Sequence, residues 1–346
     1  MKYSVGYQIT DVRSYDGKTY MEYIVQNKEH ISELYFSWGD IANGRCSMLQ
    51  NDELLPWEAQ QRQIRDLEYI SKSGIALNLL LNANCYGVES QSRSFFNKIG
   101  NTINYISENF GLSSVTTTSP LIAKFIHSNF DGIDVRASVN MKIGTTIAME
   151  YVSEYFDSFY MQRDFNRSAA KIKELSRWCA DNGKGLYILA NSGCLNYCSA
   201  HTFHDNLVAH EAEISKMDNA YDFRGICREF LTKPENRVSV IRDTNFIRPE
   251  DIHLYDEYFT SAKLATRVSA NPIKILRAYI DKSFTGAVTD LLEPNHTDIF
   301  YPCIIENKKI PEDFARHTMN CDKNCSVCGY CASVASSAAV ELDKEI

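Results

Sequence analysis

No apolar run in this 346-residue chain approaches the roughly 18 residues that a membrane-crossing helix needs. The opening stretch, Met1-Lys-Tyr-Ser-Val-Gly-Tyr7, lacks the apolar core of a signal peptide. Positive charge is short: 36 Lys and Arg stand against 44 Asp and Glu, a net charge of −8. That balance disfavours nucleic acid held by a general basic field, while local basic patches leave a structured RNA open. No Gly-x-Gly-x-x-Gly turn follows the first expected strand, which lowers a dinucleotide-binding sheet. Neither a Gly-x-Ser-x-Gly elbow nor a His-Glu-x-x-His motif supports proteolysis. Internal repeats and low-complexity segments are also lacking. What is left is a cytoplasmic globular protein, and a hydrophobic fraction of 44% is enough for a core.

Cysteine is the exception to these shortages. The eleven cysteines fall at Cys46, Cys85, Cys179, Cys194, Cys198, Cys227, Cys303, Cys321, Cys325, Cys328 and Cys331. In a reducing compartment clustered thiols hold metal or do redox chemistry more often than they pair, and an odd count fits full pairing poorly. Cys179, alone in an amphipathic stretch, reads as a small buried hydrophobe.

Between residues 31 and 283 the chain alternates short apolar, β-branched runs with amphipathic ones. Strands are expected at 33–38, 75–81, 114–118, 133–136, 156–160, 185–190, 237–241 and 261–265. Helices are expected between them, at 57–72, 92–108, 142–154, 168–180 and 271–282, with Pro120 and Pro249 at first helical turns. Eight alternations in about 250 residues predict an α/β fold, a closed (β/α)8 TIM-type barrel; an open doubly wound sheet is the rival. Residues 1–30 are expected to form a covering segment built as a short hairpin, and 284–346 a Cys-rich C-terminal extension.

In such a barrel the loops after the strands share one face, which carries the active site. Cys46, Cys85, Cys194 and Cys198 follow expected strands. Cys227 lies before one, so it joins that face only if residues 216–236 fold back over the top. A 4Fe–4S cluster takes four thiolates, and the expected set is Cys194, Cys198, Cys227 and Cys46, with Cys85 in reserve. Zinc is the metal rival. The tail packs Cys321, Cys325, Cys328 and Cys331 into eleven residues, a second metal site for a cluster or zinc. Its first three cysteines have the spacing of radical S-adenosylmethionine enzymes, but in those the motif follows the first barrel strand. Arg136, Arg242 and Arg267 end expected strands, and arginines converging on one face suggest an anionic small-molecule substrate. His201 and His204 are candidates for acid–base work, against a bland role in packing a helix start.

Asn191-Ser-Gly-Cys-Leu-Asn-Tyr-Cys198, His204-Asp-Asn206, Ile247-Arg-Pro-Glu-Asp-Ile252, Lys263-Leu-Ala-Thr-Arg267 and Gly44-Arg-Cys46 resemble peptidase family U32, the collagenase-like group. The resemblance spans roughly residues 30 to 331, with distinctive motifs only in the second half. It implies a barrel and an oxygen-sensitive 4Fe–4S cluster, carried over to Cys194, Cys198 and Cys227. Better-understood relatives act in oxygen-independent hydroxylation of ubiquinone precursors or RNA bases, and some are linked to collagen degradation. The chain has no obvious large extra domain like that of the RNA-modifying members, and its cysteine spacing differs from that of the ubiquinone-pathway members. The expectation is therefore an iron–sulfur oxidoreductase or hydroxylase, with a redox protein as a further partner. A peptidase, and a non-catalytic electron-transfer or scaffold protein, are the alternatives.

Overall fold

The computed structural model of the protein describes residues 1–44 and 54–342. Eight parallel strands close into a barrel: β1 (Tyr3–Gly6), β2 (Ile31–Phe36), β3 (Ala76–Leu81), β4 (Ser114–Thr117), β5 (Asp134–Ala137), β6 (Ser158–Tyr160), β7 (Gly185–Leu189) and β8 (Ser261–Leu264), with β8 pairing back onto β1. This is the (β/α)8 architecture expected. Two expected strands differ. Residues 3–6, assigned to a covering segment, are the first barrel strand. Residues 237–241, read as a strand from the alternation Arg-Val-Ser-Val-Ile, lead into the short helix Ser239–Arg242. The two differences cancel in the count, and no strand lies between β7 and β8.

The outward residues of the strands, such as Leu34, Phe36, Leu77, Leu79, Val115 and Ile188, are buried under the surrounding helices. Several of those helices start where a strand's loop ends, on a side-chain cap. Ser92 accepts from the Phe95 N–H, Ser119 from Ile122, Thr145 from Ala148 and Asn271 from Lys274.

The inside of the barrel is polar. Glu33 on β2 accepts hydrogen bonds from Ser4 Oγ (2.7 Å), Asn78 Nδ2 (3.0 Å) and Arg136 Nη1 (2.6 Å). Thr116 donates to Asn78 Oδ1 at 3.0 Å, and Arg136 also reaches Asp134 at 2.6 Å and lies 4.2 Å over the Tyr187 ring. Strands β1 to β5 thus meet in one hydrogen-bonded network at the barrel's mid-height, and β7 adds the Tyr187 ring.

The tail folds onto the β7–β8 connection. Leu231, Val240, Ile241 and Phe246 from that connection share a second core with Phe300, Ile305, Phe314 and Val334 from the tail. A two-stranded antiparallel sheet, β9 (Cys303–Ile305) with β10 (Ala339–Glu341), completes it. Among the described residues no helix is long and apolar enough to cross a membrane.

Candidate functional site

β7 ends at Leu189, and its continuation is pinned on both sides. Asn191, fully buried, donates to Leu291 O at 2.8 Å and accepts from the Ala265 N–H at 2.7 Å. Ser192 bridges Glu293, and the Gly193 N–H donates to Glu293 O at 2.8 Å. The buried His296 donates from Nε2 to Gly193 O at 3.0 Å, and burial lowers its pKa, so the ring is neutral. The chain therefore enters Cys194 from a fixed position. Beyond it, Leu195 bridges Thr244 and the Asn196 N–H donates to Asp243 O at 2.6 Å, while the Tyr197 N–H donates to Asp164 at 2.7 Å.

Cys194, Cys198 and Cys227 line one cavity of about 240 Å³. Cys227 opens the helix Ile226–Thr232, so the segment after residue 216 does fold back over the mouth. Burial pushes the Cys227 thiol up to about 11, and the neighbouring Cys194 and Cys198 add to the rise. His201 and His204, on the first turn of the helix His201–Ala209, line the same cavity. His201 Nε2 meets the Arg163 guanidinium and stands 3.1 Å from Asp205 Oδ2. Asp205 in turn accepts from Asn84 Nδ2 at 3.1 Å, tying the helix to the loop after β3. His204 packs edge-on against Phe223, ring centres 5.5 Å apart.

A second hollow sits beside this one, over the barrel axis. Tyr35, Leu80, Leu189 and Lys263 floor it, and Asn82, Asn140, Arg163, Arg267 and Glu293 wall it. Lys263 Nζ lies 3.9 Å over the Tyr35 ring, a cation–π contact that holds the ammonium at the floor. Arg163 lines both hollows.

Of the expected site residues, Cys194, Cys198, Cys227, His201, His204 and Arg267 are gathered at the C-terminal mouth. Cys46 lies outside the described residues. Cys85, in the loop after β3, does not line the thiol cavity. Arg136 is not at the mouth: it is a strand residue pointing inward, buried against Glu33 one layer below the floor. Arg242 follows no strand; it ends a short helix and pairs with Asp243 at 2.8 Å. Cys179 is buried under the barrel helices, its thiol pushed up to about 12 by burial, as a core residue should be. Lys263 and Glu293 were not among the expected site residues. A lysine amid the apolar Ser261-Ala-Lys-Leu-Ala265 is a visible signal of an inward charge, whereas Glu293 arrives from beyond the barrel and carries none.

Three thiols meeting in one cavity fit a thiolate-bound metal group, because the charged form of each is unfavourable beside the others until a cation compensates it. Among the described residues no three His, Cys, Asp or Glu side chains sit close enough to chelate a single ion. A cubane cluster asks for something else: its thiolates stand apart, each on its own iron. In metal-free protein at pH 8, iodoacetamide should label Cys227 on the order of a hundredfold more slowly than a free cysteine, since a thiol near 11 holds little thiolate there. Peptide mass spectrometry over time measures this; labelling at the free-cysteine rate would contradict it.

No family model matches the chain, and neither does any curated protein. Among solved structures the chain is similar to the U32 peptidase Mk0906, with a TM-score of 0.51 and 13% identity over 76% of this chain and 91% of that one. It is also aligned with a family 5 glycoside hydrolase mannosidase from Rhizomucor miehei at a TM-score of 0.38 and 11% identity, over 76% of this chain and 80% of that one. At such identities the likeness is one of fold: a TIM-type barrel of the kind seen in the U32 peptidase structure.

Proposed function

We propose that the protein is an iron–sulfur-dependent redox enzyme acting on an anionic small molecule at the barrel mouth. The observation that carries this is the meeting of Cys194, Cys198 and Cys227 in one cavity next to a hollow walled by Arg163 and Arg267 and floored by Lys263. These three thiols would hold a 4Fe–4S cluster, with Cys46 as the expected fourth ligand. When bound, such a cluster supplies one-electron transfer at the mouth. The chain's own groups do the rest. Arg163, Arg267 and Lys263 bring positive charge to the hollow, where guanidinium groups can pair a carboxylate or phosphate. Asp205 and Arg163 fix the His201 ring, so that a proton can be taken or given at a set position. Oxygen-independent hydroxylation is the reaction class to which the family resemblance points.

The neighbour's description as a peptidase raises a Cys–His peptidase as the rival. Burial argues against Cys227 as its nucleophile: such a cysteine needs a lowered pKa, and this thiol is pushed up to about 11.

The test is anaerobic purification of the parent and of Cys194→Ala, with iron and sulfide counted per chain. The variant should lose about four irons and about four sulfides. An unchanged iron content would remove the proposal.

A further inference from the structure

Cys321, Cys325 and Cys328 lie in the loop between the helices Phe314–Asn320 and Tyr330–Ala338, and Cys331 is on the first turn of the second helix. The two helix ends are clamped by rings: His317 stacks on Tyr330 with centres 3.7 Å apart, and Tyr330 on Phe314. The loop is short and turned, with the Cys328 N–H on Asn324 O at 3.1 Å and Lys323 in the left-handed region at φ 61°. Cys325 and Cys328 are exposed, while Cys321 and Cys331 are half-buried. Cys331 packs with Tyr330 against the second core, beside Phe314 and Val334.

The surroundings connect this loop to the mouth. Residues 239–245 lie between the two. On the mouth side, Asp243 O accepts from the Asn196 N–H, Thr244 bridges Leu195, and Asn245 bonds the Asn196 side chain, all within the loop that carries Cys194 and Cys198. On the tail side, Val240 and Ile241 of the helix Ser239–Arg242 share the second core with Val334, and Cys331 packs against it. Arg167 braces the segment from beneath, donating to Ile241 O at 2.7 Å and Phe246 O at 3.0 Å. One stretch, residues 239–245, thus borders both cysteine sets.

We infer that Cys321, Cys325, Cys328 and Cys331 bind a second 4Fe–4S cluster, in electronic contact with the barrel-mouth cluster through the Ser239–Asn245 segment. The binding part stands alone; the contact rests on the function proposed above. The tail is then the port at which a one-electron redox protein of the ferredoxin class meets the enzyme. The exposed Cys325, Val327 and Cys328 give that protein a close approach. Each transfer moves one electron: one centre is oxidised as the other is reduced, and no bond forms or breaks.

The experiment uses the full chain, purified without oxygen. Iron, sulfide and zinc are counted, and electron paramagnetic resonance spectra are recorded after dithionite reduction, for the parent, for Cys325→Ala/Cys328→Ala and for Cys194→Ala/Cys198→Ala. The parent should carry about eight irons and each variant about four. The reduced parent should give a spectrum broadened by spin coupling, which simplifies in both variants. Iron in Cys325→Ala/Cys328→Ala equal to that of the parent overturns the inference, as does zinc in the tail. A parent spectrum equal to the sum of the two variant spectra overturns the electronic contact alone. Full iron retention by Cys194→Ala/Cys198→Ala overturns the mouth site and leaves the tail site standing.

Discussion

Glu33→Ala should cost about 3–5 kcal/mol of folding stability, the usual loss when one partner of a buried ion pair is removed. Glu33 is 2% exposed and Arg136 is 7% exposed. Without the carboxylate, Arg136 keeps only Asp134, whose side chain is 29% exposed and so offers a partly screened charge. Ser4 and Asn78 lose their acceptor at the same time. An unsatisfied buried donor adds its own desolvation cost. Glu33→Gln separates the two contributions. It keeps an oxygen for Ser4 or Asn78 but removes the charge, so it should fall between the parent and alanine. Urea unfolding at fixed iron content measures this as a lower midpoint with an unchanged slope. A loss under about 1 kcal/mol for Glu33→Ala would mean that the barrel interior relaxes or admits water around Arg136, and that the network does not hold the strands together.

Gly193→Ala should release the mouth iron. The position is constrained by space: an added Cβ would sit 2.3 Å from the Pro294 carbonyl oxygen and 3.0 Å from Leu292 Cβ. Neither is the end of a flexible side chain that could swing aside. Relief requires parting residues 191–193 from 291–294, which breaks the bonds from Gly193 to Glu293 and from Glu293 to Asn191. Overpacking of this kind typically costs about 1–3 kcal/mol. The next residue is Cys194, so the shift falls directly on a proposed ligand. About four irons per chain should be lost, while the eight-stranded barrel keeps its circular dichroism. Full iron content together with parental stability would show that the 291–294 segment moves freely, and that it does not set the Cys194 position.

The fold class was legible because the outward faces of the strands are apolar and the helices carry a 3.6-residue period. Where the sequence misled, the cause was the polar barrel interior. β1 reads Tyr-Ser-Val-Gly, and its inward Ser4 and Gly6 break the apolar run that marks a strand. Residues 237–241 alternate like a strand, yet Val240 and Ile241 are buried together in the second core as neighbours on a helical turn. Arg136 reads as a strand-end residue because the expected strand stops at 136, whereas the strand runs on to Ala137; its partner Glu33 lies 103 residues earlier, beyond any local pattern. The Cys194–Cys198 pair was legible from its spacing, and His201 and His204 from their place behind it. Cys227 was expected beside the pair only on condition that residues 216–236 fold back over the mouth, as they do. Lys263 had a local signal and Glu293 had none.

The charged interior has one more implication, for which barrels this chain can form at all. A side chain on a strand changes face with every single step along it. Sliding β2 by one residue against β1 and β3 would carry Glu33 out among the helices and leave Arg136 stranded inside. An all-aliphatic interior would tolerate such a slip at small cost. Here Glu33 works as an alignment key: closures displaced by a single residue turn it out of the barrel and are energetically shut out.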